Sequence, residues 1–274
     1  MVSRLKWSKH FLADKVPVLI AAVIMLAGPL LIGIVSNWLL EPFYNDSNGK
    51  LLTNLWCVLG IIFSLLLLLL FERWFRPEYE GTTKLPGLVY GLKLSIPVLI
   101  FWSVWMAVKA RIGVINFYPL DPESFIKGLR PGVSEESLFR GMAMALLLRK
   151  YRTKEKLWIP LVVTAVIFGL SHYTNIESRE EFLLITITSM FAVFFGVIFC
   201  VIFSLSGSVW PVIIVHSLYD IAMMCRENAP DAPDWPTFVD IGATAVMMVG
   251  YIILYNRRRE QITALWDRKW SDTP

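Results

Sequence analysis

The sequence predicts an all-α fold: a polytopic membrane helical bundle with about eight transmembrane helices, forming a single integral membrane domain over residues 1–274. Three observations lead there. The chain is 56% hydrophobic and 18% charged, with a mean hydropathy of +0.58, too apolar to clothe itself in polar surface. It contains apolar runs long enough to cross a hydrocarbon layer. No stretch alternates with a period of two, so helices rather than a barrel must satisfy the backbone in lipid.

The first run, Val16 to Leu40, is longer than a signal-peptide core and lacks a small-residue cleavage site after it, so it is read as a retained span. Leu51 to Phe71 carries no charge and includes six leucines from Leu65 to Leu70, expected to contact lipid. Further runs fall at 86–108, 133–148, 157–173, 182–204, 209–225 and 237–255. After the last, Ile262, Leu265, Trp266 and Trp270 share a helical face beside Arg268 and Lys269, as in a helix lying on the membrane surface; a disordered polar tail is the alternative. Trp102, Trp105 and Trp210 are read as interface or packing aromatics, and Lys93 as a snorkelling cation.

The positions of Lys and Arg orient the bundle. With the N-terminus inside, the inner segments hold 17 cations: Arg4, Lys6, Lys9 and Lys15, then those at 73–84, 149–156 and 257–269. The outer side holds 7: Lys50, Lys109, Arg111, Lys127, Arg130, Arg179 and Arg226. The bias predicts an even number of spans with both termini cytoplasmic, and the cell membrane as the location. Outer stretches such as Glu41 to Gly49 and Asp231 to Asp234 are acidic or neutral. Because the cations gather at the ends of apolar runs, membrane lipids are the expected surroundings and nucleic acid is not a partner. Cys57, Cys200 and Cys225 are odd in number and two lie in apolar runs, against a disulfide framework.

Ionisable groups inside spans are costly, so they are where function is sought. Six fall in three motifs. The first is Pro131-Gly132-Val133-Ser134-Glu135-Glu136-Ser137-Leu138-Phe139-Arg140. Pro131 and Gly132 are expected to interrupt any preceding helix and Ser134 to cap a new one beginning at Glu135. Glu136 and Arg140 then form an i,i+4 ion pair, leaving Glu135 without a partner on its own helix. The second motif runs from Phe168 to His172, and the third from His216 to Asp220, two residues stacked on one helix face. Of the three histidines only His10 lies outside. Ser171 and Ser217 adjoin the other two, but i,i+1 side chains diverge on a helix, against a serine–histidine couple. In the predicted topology Glu135, His172, His216 and Asp220 all lie in the outer half of the membrane, at a common depth. The expected cavity is enclosed by the fourth, fifth and seventh spans, with Glu135 and His172 facing each other across it.

The ordered set Glu-Glu-x-x-x-Arg, Phe-x-x-x-His and His-x-x-x-Asp over residues 131–220 resembles the CAAX-protease and bacteriocin-processing family, also called the abortive-infection family or type II CAAX prenyl endopeptidases. The resemblance implies a catalytic core over about 123–225 and a metal-independent glutamate-dependent endopeptidase. By that resemblance Glu135 and His172 activate water, His216 and Asp220 stabilise the oxyanion, and Glu136, Arg140 and Phe168 support them. The family often has Asn where Asp220 stands; a carboxylate donates a hydrogen bond only when protonated, so Asp220 is better suited to orienting His216 or holding a proton. The implied partner is a peptide or protein substrate, whether prenylated or a leader peptide, and no cofactor is expected.

Two other readings use the same residues. Glu135, His172, His216 and Asp220 are an acceptable ligand set for zinc, although HExxH is missing. A non-enzymatic immunity factor, scaffold or small transporter would keep the groups for structure. The topology is tested separately: a cysteine introduced at position 175 or 230 is expected to react with an impermeant maleimide in intact cells, and labelling only after permeabilisation would reverse the orientation.

Overall fold

A computed structural model describes residues 11–44, 48–175, 181–230, 233 and 235–271; Arg4, Lys6, Lys9, His10, Arg179, Asp231 and Asp234 lie outside the described residues. The chain runs through α1 (Phe11–Lys15), α2 (Pro17–Leu40), α3 (Gly49–Trp74), α4 (Leu88–Arg111), a short strand β1 (Ile115–Phe117) and α5 (Pro122–Glu136). A π-helical segment, Ser137–Met144, joins α5 to α6 (Ala145–Tyr151). Then come α7 (Trp158–Ser171), α8 (Glu181–Ser206), α9 (Trp210–Met224), β2 (Arg226–Asn228), α10 (Trp235–Arg257) and α11 (Arg259–Lys269).

Among the described residues five helical segments are long and apolar enough to cross a membrane: Pro17–Phe43, Gly49–Trp74, Leu88–Arg111, Ile185–Ser206 and Trp235–Arg257. The protein is therefore an all-α multi-pass membrane bundle. The expected eight include three further segments that fall short of that length or apolarity. The other three segments are α7 and α9, each only about 20 Å long at the helical rise, and the continuous stretch from α5 to α6, which carries the buried charges. The bundle centre is the C-terminal half of α8, where Ile198 through Phe203 are fully buried. Over half of the α8 span is buried, against 11% for the span formed by α10, which marks α8 as central and α10 as peripheral.

The fourth predicted span begins elsewhere. Rather than breaking at Pro131 and restarting at Glu135, the helix starts at Pro122: the Asp121 carboxylate accepts the N–H groups of Glu123 (2.8 Å) and Ser124 (3.1 Å), with Pro122 in the first turn. These start signals, plus packing on α9, outweigh the one hydrogen bond that Pro131 forfeits. Ser134 is accordingly no cap; its hydroxyl donates to the Gly60 carbonyl across α3 (3.3 Å). Gly128 and Gly132, four apart, let α5 lie against the α9 backbone: a Cβ at either would come within 2.5 Å of Ile221 N or Ser217 N. Gly87, at φ +95°, turns the chain into α4 where any side chain would strike the Ser206 carbonyl.

The two ends of the bundle are distinct. At one end Arg149 bridges Asp14 and Glu78 (3.0 Å each), Arg152 reaches Asp267 (2.6 Å) and Lys154 reaches Glu260 (2.6 Å). This layer joins the four segments that the cation count assigned to one side. At the other end β1 pairs antiparallel with β2, and Glu123 takes Lys50 (2.5 Å) and Lys127 (2.6 Å).

Several sequence readings change in detail. The tail forms the expected helix, but its apolar face covers the protein: Ile262, Trp266 and Trp270 are buried, Trp270 stacks on Tyr79 (3.9 Å) and Trp266 donates to the Ser204 carbonyl (2.9 Å). Lys269 is buried with them, donates to the Gly81 carbonyl (2.7 Å), and has its pKa pushed down to about 8 by desolvation. Leu66, Leu69 and Leu70 are exposed as lipid contacts, but Leu68 is fully buried against Gly141. Lys109 and Arg130, counted as loop cations, belong to α4 and α5, and Lys109 is a buried partner of Asp240 (3.1 Å). Trp102 is buried between Phe195 and Tyr219, while Lys93 is exposed. All three cysteines are buried and free.

The α5–α9 contact yields a prediction. Gly132→Val should force the two helices apart and cost about 1–3 kcal/mol, the usual penalty of overpacking, seen as a lowered melting temperature of the detergent-solubilised protein; an unchanged melt would mean that the close approach is not required.

Candidate active site

The site grows from one buried carboxylate. Glu136 ends α5 and Arg140 lies one turn on, within the π-helical segment, where the Ala145 N–H reaches the Arg140 carbonyl five residues back. Both side chains are fully buried and joined at 2.9 Å. The guanidinium also donates to the Gly196 carbonyl of α8 (3.2 Å), and it lies 4.5 Å from the centre of the Phe168 ring, with Phe139 and Phe199 farther off. Two buried charges are tolerable here because each has the other and additional partners.

The same Glu136 oxygen accepts from His216 Nδ1 (2.8 Å). Since Glu136 can only accept while it is paired with Arg140, the proton belongs on His216 Nδ1, and Nε2 is aimed onward. Nε2 lies 3.3 Å from the Asp220 carboxylate and 4.0 Å from Glu135. The two groups stand at ion-pair distance, and the Asp220 oxygen facing Nε2 is buried with no hydrogen-bond partner among the described residues. The i,i+4 spacing on α9 sets this pair, and α5 brings the two glutamates to it.

His172 sits where α7 passes into the short 3-10 turn His172–Asn175. Its Nδ1 donates to the Phe168 carbonyl (3.0 Å), which can only accept, so the neutral ring presents its lone pair at Nε2. Phe168 is the common wall of the site, with edge-on contacts to Phe139 (5.1 Å), His172 (5.4 Å) and His216 (6.1 Å).

Glu135 and His172 line one cavity of about 490 Å³. Its walls differ from those expected. The seventh predicted span, α9, contributes no lining residue; α2 supplies Met25, Pro29 and Ile34 among others, α3 supplies Trp56, and α5 adds Arg130. The reason is that His216 and Asp220 approach the glutamates from behind, filling the side where a three-helix cavity would have opened. Asn37 and Trp56 also line a second cavity of about 710 Å³ with Tyr44 and Thr53, so a groove between α2 and α3 leads from the β1/β2 end of the bundle toward Glu135.

The segment that carries all of these motif residues, 122–222, matches the family model described as type II CAAX prenyl endopeptidase Rce1-like. Over this segment, a little over a third of the chain, the protein is similar to the Rce1-like family. The Rce1-like match begins at the Asp121-capped helix and ends two residues beyond Asp220, so α2, α3 and the groove between them lie outside it. No curated protein and no solved structure matches the chain.

The sequence reading found every ionisable residue of this cluster and missed its neighbours. Arg130 and Trp56 gave no periodic signal, and the α2 wall is lined by apolar residues that look like any lipid-facing helix. Phe199, whose ring is 5.5 Å from His216, is hidden in the same way.

The buried pair can be tested without substrate. Arg140→Met should destabilise the protein by about 3–5 kcal/mol, because Glu136 loses its counter-charge in the interior. Adding Glu136→Gln should recover part of that loss, and additive melting shifts across the double-mutant cycle would mean that the two residues do not act as a pair.

Proposed function

We propose that the protein is an intramembrane endopeptidase that hydrolyses a peptide bond with a water activated by Glu135 and His172. The observation that carries this reading is the shared cavity: both residues line it, while His216 Nε2 stands 4.0 Å from Glu135 and 3.3 Å from Asp220. Similarity of residues 122–222 to a family described as type II CAAX prenyl endopeptidases supports a CAAX-type protease in general.

Peptide hydrolysis needs a base for water, a donor for the oxyanion and an acid for the leaving amine. Glu135 takes a proton from water as its oxygen bonds to the scissile carbonyl carbon, with the His172 Nε2 lone pair completing the water's hydrogen bonding. The carbonyl oxygen becomes an oxyanion, and His216 Nε2, held through Nδ1 by Glu136 and 4.0 Å behind Glu135, is the donor for it once the substrate reaches past the cavity lining. The C–N bond then breaks, and the proton passes from Glu135 to the departing amine. Asp220 acts as an acceptor that positions His216, in keeping with a carboxylate rather than an amide at this position.

The apolar α2 wall suits a peptide with apolar side chains, prenylated or part of a leader sequence. The orientation we favour puts the charge-paired end of the bundle and both termini in the cytoplasm, with the bundle in the cell membrane and the groove entered from the opposite side. A zinc-dependent mechanism is not favoured: His216 Nδ1 is committed to Glu136, and among the described residues no three His, Cys, Asp or Glu side chains converge as a ligand set. No step is therefore routed through a metal.

Glu135→Gln and His172→Ala are each expected to reduce cleavage of a membrane-anchored reporter peptide by at least about a hundredfold, the scale of a lost general base, with the melting temperature little changed. Wild-type cleavage or wild-type phenotype in either variant would leave a structural or immunity role. Activity lost in a strong chelator, with stoichiometric zinc in the purified protein, would overturn the metal-free mechanism. Comparing the membrane proteomes of active and Glu135→Gln cells would identify the substrate.

A further inference from the structure

Most of the partly or fully buried cations have carboxylate partners. Lys109 has Asp240, Arg140 has Glu136, Arg149 has Asp14 and Glu78, and Arg152 has Asp267. Arg130 differs. It is partly buried on α5, and its guanidinium lies flat on the Trp56 indole, 3.6 Å from the ring centre. Among the described residues no ion pair or hydrogen bond engages it, and its Nε is buried without a partner. The side chain folds closely onto α3 over Gly60, where a Cβ would come within 2.7 Å of Arg130 Nε.

Its position gives the unpaired charge a meaning. Arg130 lines the cavity of Glu135 and His172, and its stacking partner Trp56 stands where that cavity meets the outer groove. A guanidinium held flat by an aromatic ring keeps its in-plane N–H groups for a planar anion, and carboxylate matches that geometry with two parallel hydrogen bonds. An unpaired cation at this depth is costly unless a ligand completes it.

We propose that Arg130 and Trp56 form a carboxylate-binding subsite that anchors the substrate beside the reacting bond. The proposal rests on the peptidase reading for the bond that is cut, but not for the binding itself. The helical rise sets Arg130 roughly 7 Å along α5 from Glu135, about two residues of extended peptide. The carboxylate therefore lies close to the scissile bond, and either a peptide C-terminus or an Asp or Glu side chain at that spacing supplies it.

The test uses the full-length Glu135→Gln protein in detergent and dansyl-labelled apolar peptides that differ only at the end: free acid, C-terminal amide, and amide with a terminal Asp side chain. The free acid is expected to bind at least about tenfold tighter than the plain amide, the scale of a charge-assisted hydrogen-bonded pair. Adding Arg130→Gln should abolish that difference while leaving amide binding unchanged. Tight binding of the Asp-bearing amide would assign the carboxylate to a side chain, and weak binding would assign it to the C-terminus; both support the subsite. Equal binding of acid and amide, or a preference that survives Arg130→Gln, would overturn it. An acid-to-amide ratio of one in the Glu135→Gln protein overturns the subsite even where Arg130→Gln folds poorly. An Arg130-dependent preference in a protein whose wild type cleaves nothing would keep the subsite and remove the peptidase reading, and cleavage without the preference would do the reverse.

Discussion

A carboxylate that is fully buried must be surrounded by donors, and Glu136 organises the bundle by recruiting them. One of its oxygens receives Arg140 from the π-helical segment and His216 from α9, and Arg140 passes the connection to the Gly196 carbonyl of α8. Three segments are thus tied through a single atom in the interior, where an unpaired charge is expensive. The same bonds fix His216 with Nδ1 inward and Nε2 outward, so the interaction that holds the bundle together also aims the imidazole at Asp220 and Glu135.

The helical segment from α5 to α6 can meet this demand because its two halves are packed differently. Its first half is slim, with Gly128 and Gly132 seated against the α9 backbone. The π-helical part that follows is buried except at Met142, placing Leu138 and Phe139 in the cluster with Ala21 and Met25 of α2, and Gly141 under Leu68 of α3. Close approach on one side brings Glu136 to His216. Wide turns on the other bring α2 and α3 up to Glu135, where they become the wall and entrance of the cavity.

This division assigns different tasks to the matched and unmatched parts of the chain. The segment similar to the Rce1-like family supplies the ionisable cluster, while α2 and α3, outside it, supply much of the lining of the adjoining cavity. Arg130 lies inside the segment yet points its stacking face to Trp56 outside it, at the junction of the two tasks.

By itself the sequence determined the class of the fold, the helical segments and the ionisable residues of the candidate site. Those features are local: an apolar run reports lipid, cations report the ends of spans, and i,i+4 spacing places Glu136 with Arg140 and His216 with Asp220 on common helix faces. Tertiary structure decided what touches what. Pro131 reads locally as a break, but Asp121 capping and the α9 contact carry the helix through it. The tail helix has one apolar face whether it lies on lipid or on protein, and only the rings of Tyr79 and Phe75 choose protein. The cavity, too, is walled by α2 because His216 and Asp220 close the other side, an outcome of packing between segments remote in sequence that no spacing along the chain encodes.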